Sequence, residues 1–379
     1  MRKMKSTFLG LVIAMSVGAS LPRANPAAQP LPLSVNFDGK LSVMTYNIHG
    51  VPWPVGWGRP AQLTQIAETL RDLRSHGRNP HVVVLQEAFT EDAQAIGREA
   101  GYRYIVDGPS AELVSSERPS AADRLFASSG SWMKGEGLGK FVGSGLQILS
   151  DFPIVGMRRM AYPTYACAGY DCLANKGALL ASLALPGEAE PIDIVTTHLN
   201  SRRSSGVADA RSIYAYRLQV KYLTDFIRRA HDPQRALLVA GDFNVGRATP
   251  RRSELLGSVR TRWAQDGDID DAYGEAVRVG LPLNSDAKFS HRRARDWQFY
   301  TPGKSTDLEL DGIDVPFGHD KYGGMLSDHV GYTAIYRIFS RSRSASLNGA
   351  YILERRRKTS VRPDDIKSVP KPAHRYVGH

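Results

Sequence analysis

The segment ALLVAGDFNV, residues 236–245, runs from an apolar stretch straight into Gly241, Asp242, Phe243 and Asn244. An apolar run of this length, bounded by turn residues, reads as a buried strand. An Asp or Asn just past such a strand is ordinarily turn chemistry. It is also where a rigid backbone can hold a side chain tightly enough for catalysis. The arrangement recurs along the chain. Asn47 sits near the end of LSVMTYNI (41–48), Glu87 follows the apolar run of HVVVLQEA (81–88), and His198 falls near the end of IDIVTTHL (192–199). Asp328 and His329 stand where HVGYTAIYRI (329–338) begins. Each has a bland reading taken singly. Acids, amides and imidazoles at so many strand ends point jointly to one site.

Further strands are expected at GSGLQILS (143–150) and GALLASLAL (177–185), with DWQFYT (296–301) a weaker one. Leu63, Ile66, Ala67, Leu70 and Leu73 fall at helical spacing, as do Ile213, Tyr216, Val220, Leu223 and Ile227, predicting helices over 61–73 and 212–229. The polar stretch Gly108–Lys140 reads as a long surface loop, and no internal repeat is visible. Nothing between 40 and 338 resembles a linker. Many strands and a few amphipathic helices in one domain predict an α/β sandwich, sheets covered by helices.

The motifs MTYNIHG (44–50), LQEAF (85–89), GSGLQILSDFPI (143–154), TTHLNS (196–201), VAGDFNV (239–245), DWQFY (296–300) and LSDHVGY (326–332) occur in that order. Together they resemble the endonuclease/exonuclease/phosphatase superfamily over about residues 40–338. Its members include DNase I-like nucleases, inositol polyphosphate 5-phosphatases and neutral sphingomyelinases. The resemblance implies a DNase I-like four-layer α/β sandwich, two packed and mostly antiparallel sheets flanked by helices. It also implies phosphoester hydrolysis with a divalent metal, Mg2+ or alternatively Mn2+. Glu87 would be the main metal ligand with Asn47 beside it, a donor set that suits a cation taking oxygen ligands. His329 would be the general base, with Asp328 carried over alongside it and Asp296 supporting the imidazole or a metal-bound water. Asp242 would orient the nucleophilic water or serve the leaving group. Asn244 and His198 would donate hydrogen bonds to phosphoryl oxygens, the positioning that phosphoryl transfer requires.

The substrate is less sharply drawn. NKGALL (175–180) is similar to the strand start of bacterial neutral sphingomyelinases, and Lys176 there could reach a phosphate as a point charge; the alternative is a lysine on a turn. The loop VPWPVGWG (51–58) offers Trp53 and Trp57 to a membrane interface or a base, unless it packs on its own domain. The groups Arg202/Arg203, Arg251/Arg252 and Arg292/Arg293/Arg295 are either solvated or ready to meet phosphates. The sequence therefore reads first as a sphingomyelinase-like phospholipase C, acting as a monomer with peripheral membrane contact. The alternative is a secreted nuclease. A catalytically inactive binding module is a third class, which the filling of every expected position argues against.

The 379 residues carry a formal charge of +11, with 42% of residues apolar. That composition excludes wholesale disorder and a collagen-like chain. The charge lies at the ends: residues 1–30 have four Lys/Arg and no acid, and residues 340–379 have ten against three, leaving the body balanced at 35 of each. Net charge is therefore no argument for nucleic-acid binding. Arg2, Lys3 and Lys5, the apolar stretch Phe8–Val17 and the Pro/Ala-rich stretch that follows read as an export signal and leader over 1–33, which places the protein outside the cell or in a periplasm. An uncleaved anchor is the alternative. The catalytic domain is then 34–339 and the tail 340–379 a basic, disordered segment. Cys167 and Cys172 can close a small disulfide loop around Gly169, or stand as two free thiols.

Overall fold

Among the described residues twelve strands follow one another as β1 (Lys40–Gly50), β2 (Val82–Ala88), β3 (Tyr104–Asp107), β4 (Gln147–Ser150), β5 (Ile154–Ala161), β6 (Gly177–Leu183), β7 (Ile192–His198), β8 (Leu237–Asp242), β9 (Asp270–Asp271), β10 (Asp296–Thr301), β11 (Thr306–Phe317) and β12 (Gly331–Ser340). The computed structural model describes residues 37–52, 55–263 and 269–340, all within the unit that begins at Phe37. The expected leader over 1–33, Trp53 and the tail beyond Ser340, with its Tyr351–Leu353 patch, lie outside the described residues. Among the described residues seven α-helices accompany the strands: α1 (Arg59–Ser75), α2 (Glu91–Glu99), α3 (Ala121–Ser128), α4 (Asp209–Ala230), α5 (Thr249–Ser258), α6 (Ala272–Val279) and α7 (Ser285–Arg293). Among the described residues no helix is long and apolar enough to cross a membrane.

The strands form two six-stranded sheets, ordered β11-β12-β1-β2-β4-β3 and β5-β6-β7-β8-β10-β9. Among these described strands only β1–β2 and β7–β8 pair in parallel. The other pairings are antiparallel, as the expected sandwich requires. Each parallel pair is joined through a helix, α1 in the first sheet and α4 in the second, because parallel neighbours need a crossover. The two sheets thus repeat one plan, with β12-β1-β2-β4 matching β6-β7-β8-β10 in order and direction. This internal repeat is invisible in the sequence.

Alternation along the strands builds the layers. In β1, Met44, Tyr46 and Ile48 join Leu63, Ile66 and Leu70 of α1 in one buried cluster, and Val83 and Leu85 of β2 complete it. On the second sheet Val195, Leu237 and Val239 pack with Tyr216, Val220, Leu223 and Ile227 of α4. The opposite strand faces meet between the sheets. There Gln86 Nε2 donates to Thr196 Oγ1 (3.3 Å) and Gln298 Nε2 to the Val43 carbonyl (3.0 Å), so both amides are paired across the interlayer.

The stretch 108–140 departs from expectation. It contains α3, started by a capping box in which the Ser120 hydroxyl accepts from the Asp123 N–H and the Asp123 carboxylate accepts from the Ser120 N–H. Reciprocal capping sustains a helix too short and too polar for its periodicity to be read. Cys167 and Cys172 form the disulfide, with Cα atoms 5.2 Å apart.

Candidate active site

Four of the residues expected at the site occupy matching places in the two halves of the repeat, Asn47 with His198 on β1 and β7 and Glu87 with Asp242 on β2 and β8. Asn47 and Asp242 lie toward the ends of the central strands β1 and β8. Glu87 and His198 stand at the ends of their parallel neighbours β2 and β7. His329 precedes β12, and Asp296 begins β10. The sandwich brings these ends together across the interlayer, where Asn47 Nδ2 donates both to Glu87 Oε1 (2.9 Å) and to Asp242 Oδ2 (3.1 Å).

Local backbone makes this meeting possible. Simple alternation would turn Glu87 toward α1 with Val83 and Leu85. A φ of 59° breaks the alternation and brings the carboxylate to Asn47 instead. The non-glycine residues with left-handed φ among those described are His49, Glu87, Asn244 and Ala294. Three of them line the cleft, and Ala294 comes two residues before Asp296. Such strain is retained where the surroundings over-determine it, commonly at functional sites. Gly241, just before Asp242, is required for another reason: a Cβ there would lie 2.2 Å from the Thr197 carbonyl oxygen of β7.

His329 is the centre of the acid–base machinery the geometry offers. Its Nδ1 lies 2.9 Å from both oxygens of Asp296, which fixes the proton on that nitrogen. Its Nε2 faces Asp242 Oδ2 at 3.7 Å and Arg295 Nη1 at 3.2 Å. Ser327 ties this loop to β1, donating to the Asn47 carbonyl (2.7 Å). Burial opposes the imidazolium, but Asp296, Asp242 and Asp328 outweigh it and raise the pKa to about 9. Asp328 itself stands at the rim, with its side chain 54% exposed, paired to Arg295 (3.3 Å). The carboxylate that grips the ring is Asp296, and the sequence neighbour is only 3.8 Å from Nε2.

Asp242, Asp296 and His329 also offer ligand atoms within 4.8 Å of one another. Because Asp296 already engages Nδ1, this trio reads as a clamped imidazole. Glu87 is the better place for a hard cation. Burial pushes its carboxyl pKa up against the Asn47 hydrogen bond and the pull of His329, and among the described residues no Lys or Arg pairs with it. An enclosed carboxylate without a cationic partner fits a divalent ion as its counter-charge. Asn47 uses its Nδ2 on the two carboxylates and its Oδ1 on the His49 N–H (3.0 Å), so a metal contact would take the remaining lone pair of Oδ1.

The other expected residues occupy more specific positions. Asn244 donates its backbone N–H to Asp242 Oδ1 (2.9 Å) and one amide hydrogen to the Leu199 carbonyl (3.0 Å), and it lines the cleft. His198 is buried, and burial together with Lys176 lowers its pKa to about 3, so it is neutral. Lys176 is itself only 5% exposed. Its ammonium pairs with Asp171 and donates to His198 Nε2 (3.2 Å) and the Leu199 carbonyl (3.2 Å), which puts it beside the imidazole and not out in the open cleft.

Arg251 was expected either in solvent or against a phosphate. It is fully buried, and its guanidinium donates to the carbonyls of Asn200 (2.5 Å), Asn244 (3.0 Å), Ser201 (3.2 Å) and Ser212 (3.4 Å). It ties the loops after β7 and β8 to each other. Nothing in the sequence signals this, because an Arg on an amphipathic helix is ordinarily exposed. The cleft above the site has a volume of about 510 Å³, and its wall includes Arg202, Arg203, Arg247, Arg293 and Arg295. Val51 and Val55 line it from the loop before α1, and Trp57 in that loop is 82% exposed.

The Endonuclease/Exonuclease/phosphatase family model matches residues 44–329. Among curated proteins none matches this chain. Solved structures with the same fold include beta toxin from Staphylococcus aureus, 19% identical, with a TM-score of 0.52 over 78% of this chain and 99% of that one. A beta toxin variant with bound magnesium ions is 17% identical at a TM-score of 0.50, over 78% and 99%. TDP2 of D. rerio complexed with a single-strand DNA product is 15% identical at 0.50, over 79% and 99%. At these identities the likeness is one of fold. The chain belongs to the endonuclease/exonuclease/phosphatase family and is a phosphoester hydrolase.

Proposed function

We propose that this protein is a divalent-metal-dependent phosphodiesterase that cleaves a phospholipid headgroup at a membrane surface. The observation that carries the catalytic part is the imidazole of His329 held between Asp296 and Asp242, a few ångströms from the enclosed Glu87 carboxylate network. Glu87, with Asn47 beside it, would hold the cation. A bound divalent ion neutralises charge on phosphoryl oxygens and favours in-line displacement. Asp296 keeps the proton on Nδ1, leaving Nε2 to take a proton from the attacking water. Asp242, next to that nitrogen, would orient the water. The unengaged amide hydrogen of Asn244 and the charge of Lys176 would stabilise the phosphoryl oxygens. The beta toxin structure with bound magnesium, which shares this fold, supports magnesium as the ion to test first.

The lipid part rests on the loop before α1, which contributes Val51 and Val55 to the cleft and presents an exposed Trp57 beside it. Exposed tryptophan is well suited to the boundary between water and lipid. An export leader over 1–33, a catalytic domain over 34–339 and a separate basic tail belong to the same reading. The arginines of the cleft wall favour a second reading, a nuclease, and the fold relative solved with a single-strand DNA product supports keeping it. Purified protein assayed with magnesium and with EDTA on sphingomyelin vesicles and on plasmid DNA tests both. Metal-dependent release of the lipid headgroup with intact DNA is the expected result. Cleavage of DNA alone would replace the lipid reading, and inactivity on every phosphodiester would refute both.

A further inference from the structure

We propose that the turn Trp132–Lys134 and the segment running on to Phe141 form a knob beside the catalytic cleft that docks the protein on a phospholipid bilayer containing anionic lipid. The proposal rests on the phospholipid reading of the cleft only in the choice of a bilayer as partner. Surface segments ordinarily turn their acids to water and their apolar side chains inward. Here the order is reversed. Trp132 and Met133 are each 69% exposed, and Leu138, Phe141 and Tyr170 are exposed as well, whereas Glu136 in their midst is 6% exposed. The Glu136 carboxylate accepts from the Ser131 N–H (2.5 Å), the Gly169 N–H (2.9 Å) and Arg211 Nε (2.6 Å). The Ser131 carbonyl accepts from the N–H groups of Lys134 (3.0 Å) and Glu136 (3.2 Å). The acid thus anchors the turn from inside, and an ordered backbone holds the apolar side chains outward.

Contacts join these side chains into one patch. The Phe141 N–H donates to the Leu173 carbonyl (2.8 Å), a Cβ on Gly135 would lie 3.0 Å from Leu173 Cγ, and the Lys134 ammonium stands 5.6 Å from the centre of the Tyr170 ring. Residues 132–141 are therefore folded onto 170–173. An exposed apolar patch of this kind marks an interaction surface. Three features select a bilayer as its occupant. The first is continuity with the cleft. The Tyr170 N–H donates to the Ser205 carbonyl (3.0 Å), while Asp171 and residues 201–204 line the cleft itself. The knob borders the wall built after β7, and Val51 and Val55 line the cleft from the loop before α1. The second is shape. Trp132 and Met133 project from one short turn, which suits entry among lipid headgroups, whereas a protein partner would have to offer a matching cavity. The third is charge. Lys134 in the turn and Arg203 on the adjoining wall put cations at the margin of the patch, and the nearby acids Asp123 and Glu136 are buried. Cations around an apolar centre are complementary to an anionic lipid surface.

The test is sedimentation of the full chain with vesicles of mixed phosphatidylcholine and phosphatidylglycerol, in EDTA so that the lipid stays intact. Trp132→Ala with Met133→Ala should weaken partitioning roughly 10- to 100-fold, the loss of about one buried apolar side chain. The loss should persist at about 0.5 M NaCl, where the pull of exposed charges, the basic tail included, is largely screened. Trp132→Phe with Met133→Leu keeps the apolar content and should restore binding. Vesicles with brominated acyl chains should quench tryptophan fluorescence less in Trp132→Phe than in wild type. With magnesium, hydrolysis of bis(p-nitrophenyl) phosphate should be the same in wild type and the Ala variant, since the knob does not touch the reacting atoms. Vesicle binding unchanged in the Ala variant, or quenching unchanged in Trp132→Phe, would overturn the proposal. A wild-type dimer that the Ala variant turns into a monomer, with vesicle binding intact, would assign the patch to a second copy and overturn it too. Wild-type protein that docks through the knob yet cleaves DNA and no lipid would refute the phospholipid reading and leave this inference standing. Wild-type protein that releases headgroup from detergent-dispersed lipid but binds no vesicle would do the reverse.

Discussion

Replacing Asp296 by Asn should change the way stability depends on pH as well as the rate. Both Asp296 oxygens lie 2.9 Å from His329 Nδ1, and after the opposing effect of burial this carboxylate is the largest influence raising the pKa to about 9. A rise of that size from 6.5 corresponds to about 3 kcal/mol of preference for the charged ring in the folded state, shared among three acids. Because the folded pKa is raised, the stabilisation is fully present below the unfolded value near 6.5. It is lost as pH climbs through about 9. Wild-type protein in EDTA should therefore lose stability from this group between those limits. Asp296→Asn should flatten that part of the curve, because an amide cannot hold the imidazolium. Unfolding free energies by urea at several pH values in the window, with an NMR titration of His329, measure both quantities. With magnesium present, kcat of the variant should fall roughly 10²- to 10⁴-fold, the usual worth of a positioned base. Identical pH slopes in the two proteins, or an unshifted His329 titration, would refute the clamp.

Glu87→Gln should abolish metal-dependent turnover yet raise the melting temperature in EDTA at neutral pH, since burial disfavours the ionised carboxylate; a lower melting temperature would contradict that cause. Hydrolysis by the wild-type enzyme should climb with pH from neutral toward about 9 as Nε2 of His329 is freed, and a rate independent of pH over that range would point to another base. Trp57→Ala should weaken vesicle binding in a sedimentation assay while sparing hydrolysis of a small soluble diester, and equal losses in both would remove the loop from membrane docking. Arg251→Met should leave four buried carbonyls short of a donor and cost about 3 kcal/mol or more of stability, with Arg251→Lys a poor rescue because an ammonium lacks the planar fork. A melting temperature unchanged in the Met variant would deny Arg251 its structural role.

Much of the site was legible because its residues come as short motifs at the ends of apolar strands. Asn47, Glu87, His198, Asp242, Asn244, Asp296 and His329 could each be named without knowing the fold. Their partners could not. Asp328 and Asp296 look equally able to serve His329 in the sequence, and Asp328 is its neighbour. The structure leaves the neighbour at the rim and brings in a carboxylate from the other sheet, 33 residues away. The burial of Lys176 and Arg251 could not be read from the sequence, because burial of a charge depends on counter-groups gathered from elsewhere: Asp171 for the first, a ring of carbonyls for the second.

Sequence by itself determined eight of the strands, through short runs rich in apolar and β-branched side chains, and the residue types that emerge from them; β3, β5, β9 and β11 fall outside every segment it marks as a strand. It determined the family as well, because the order of motifs survives where overall identity does not. Tertiary structure alone decided the pairing of the two halves, the left-handed turn that swings Glu87 to Asn47, and the identity of each carboxylate's partner. The reason is range. Strand propensity acts over a few residues, whereas the site arises where two strand systems far apart in the chain end at the same level of the interlayer. There a hydrogen bond such as Asn47 to Asp242 spans 195 residues.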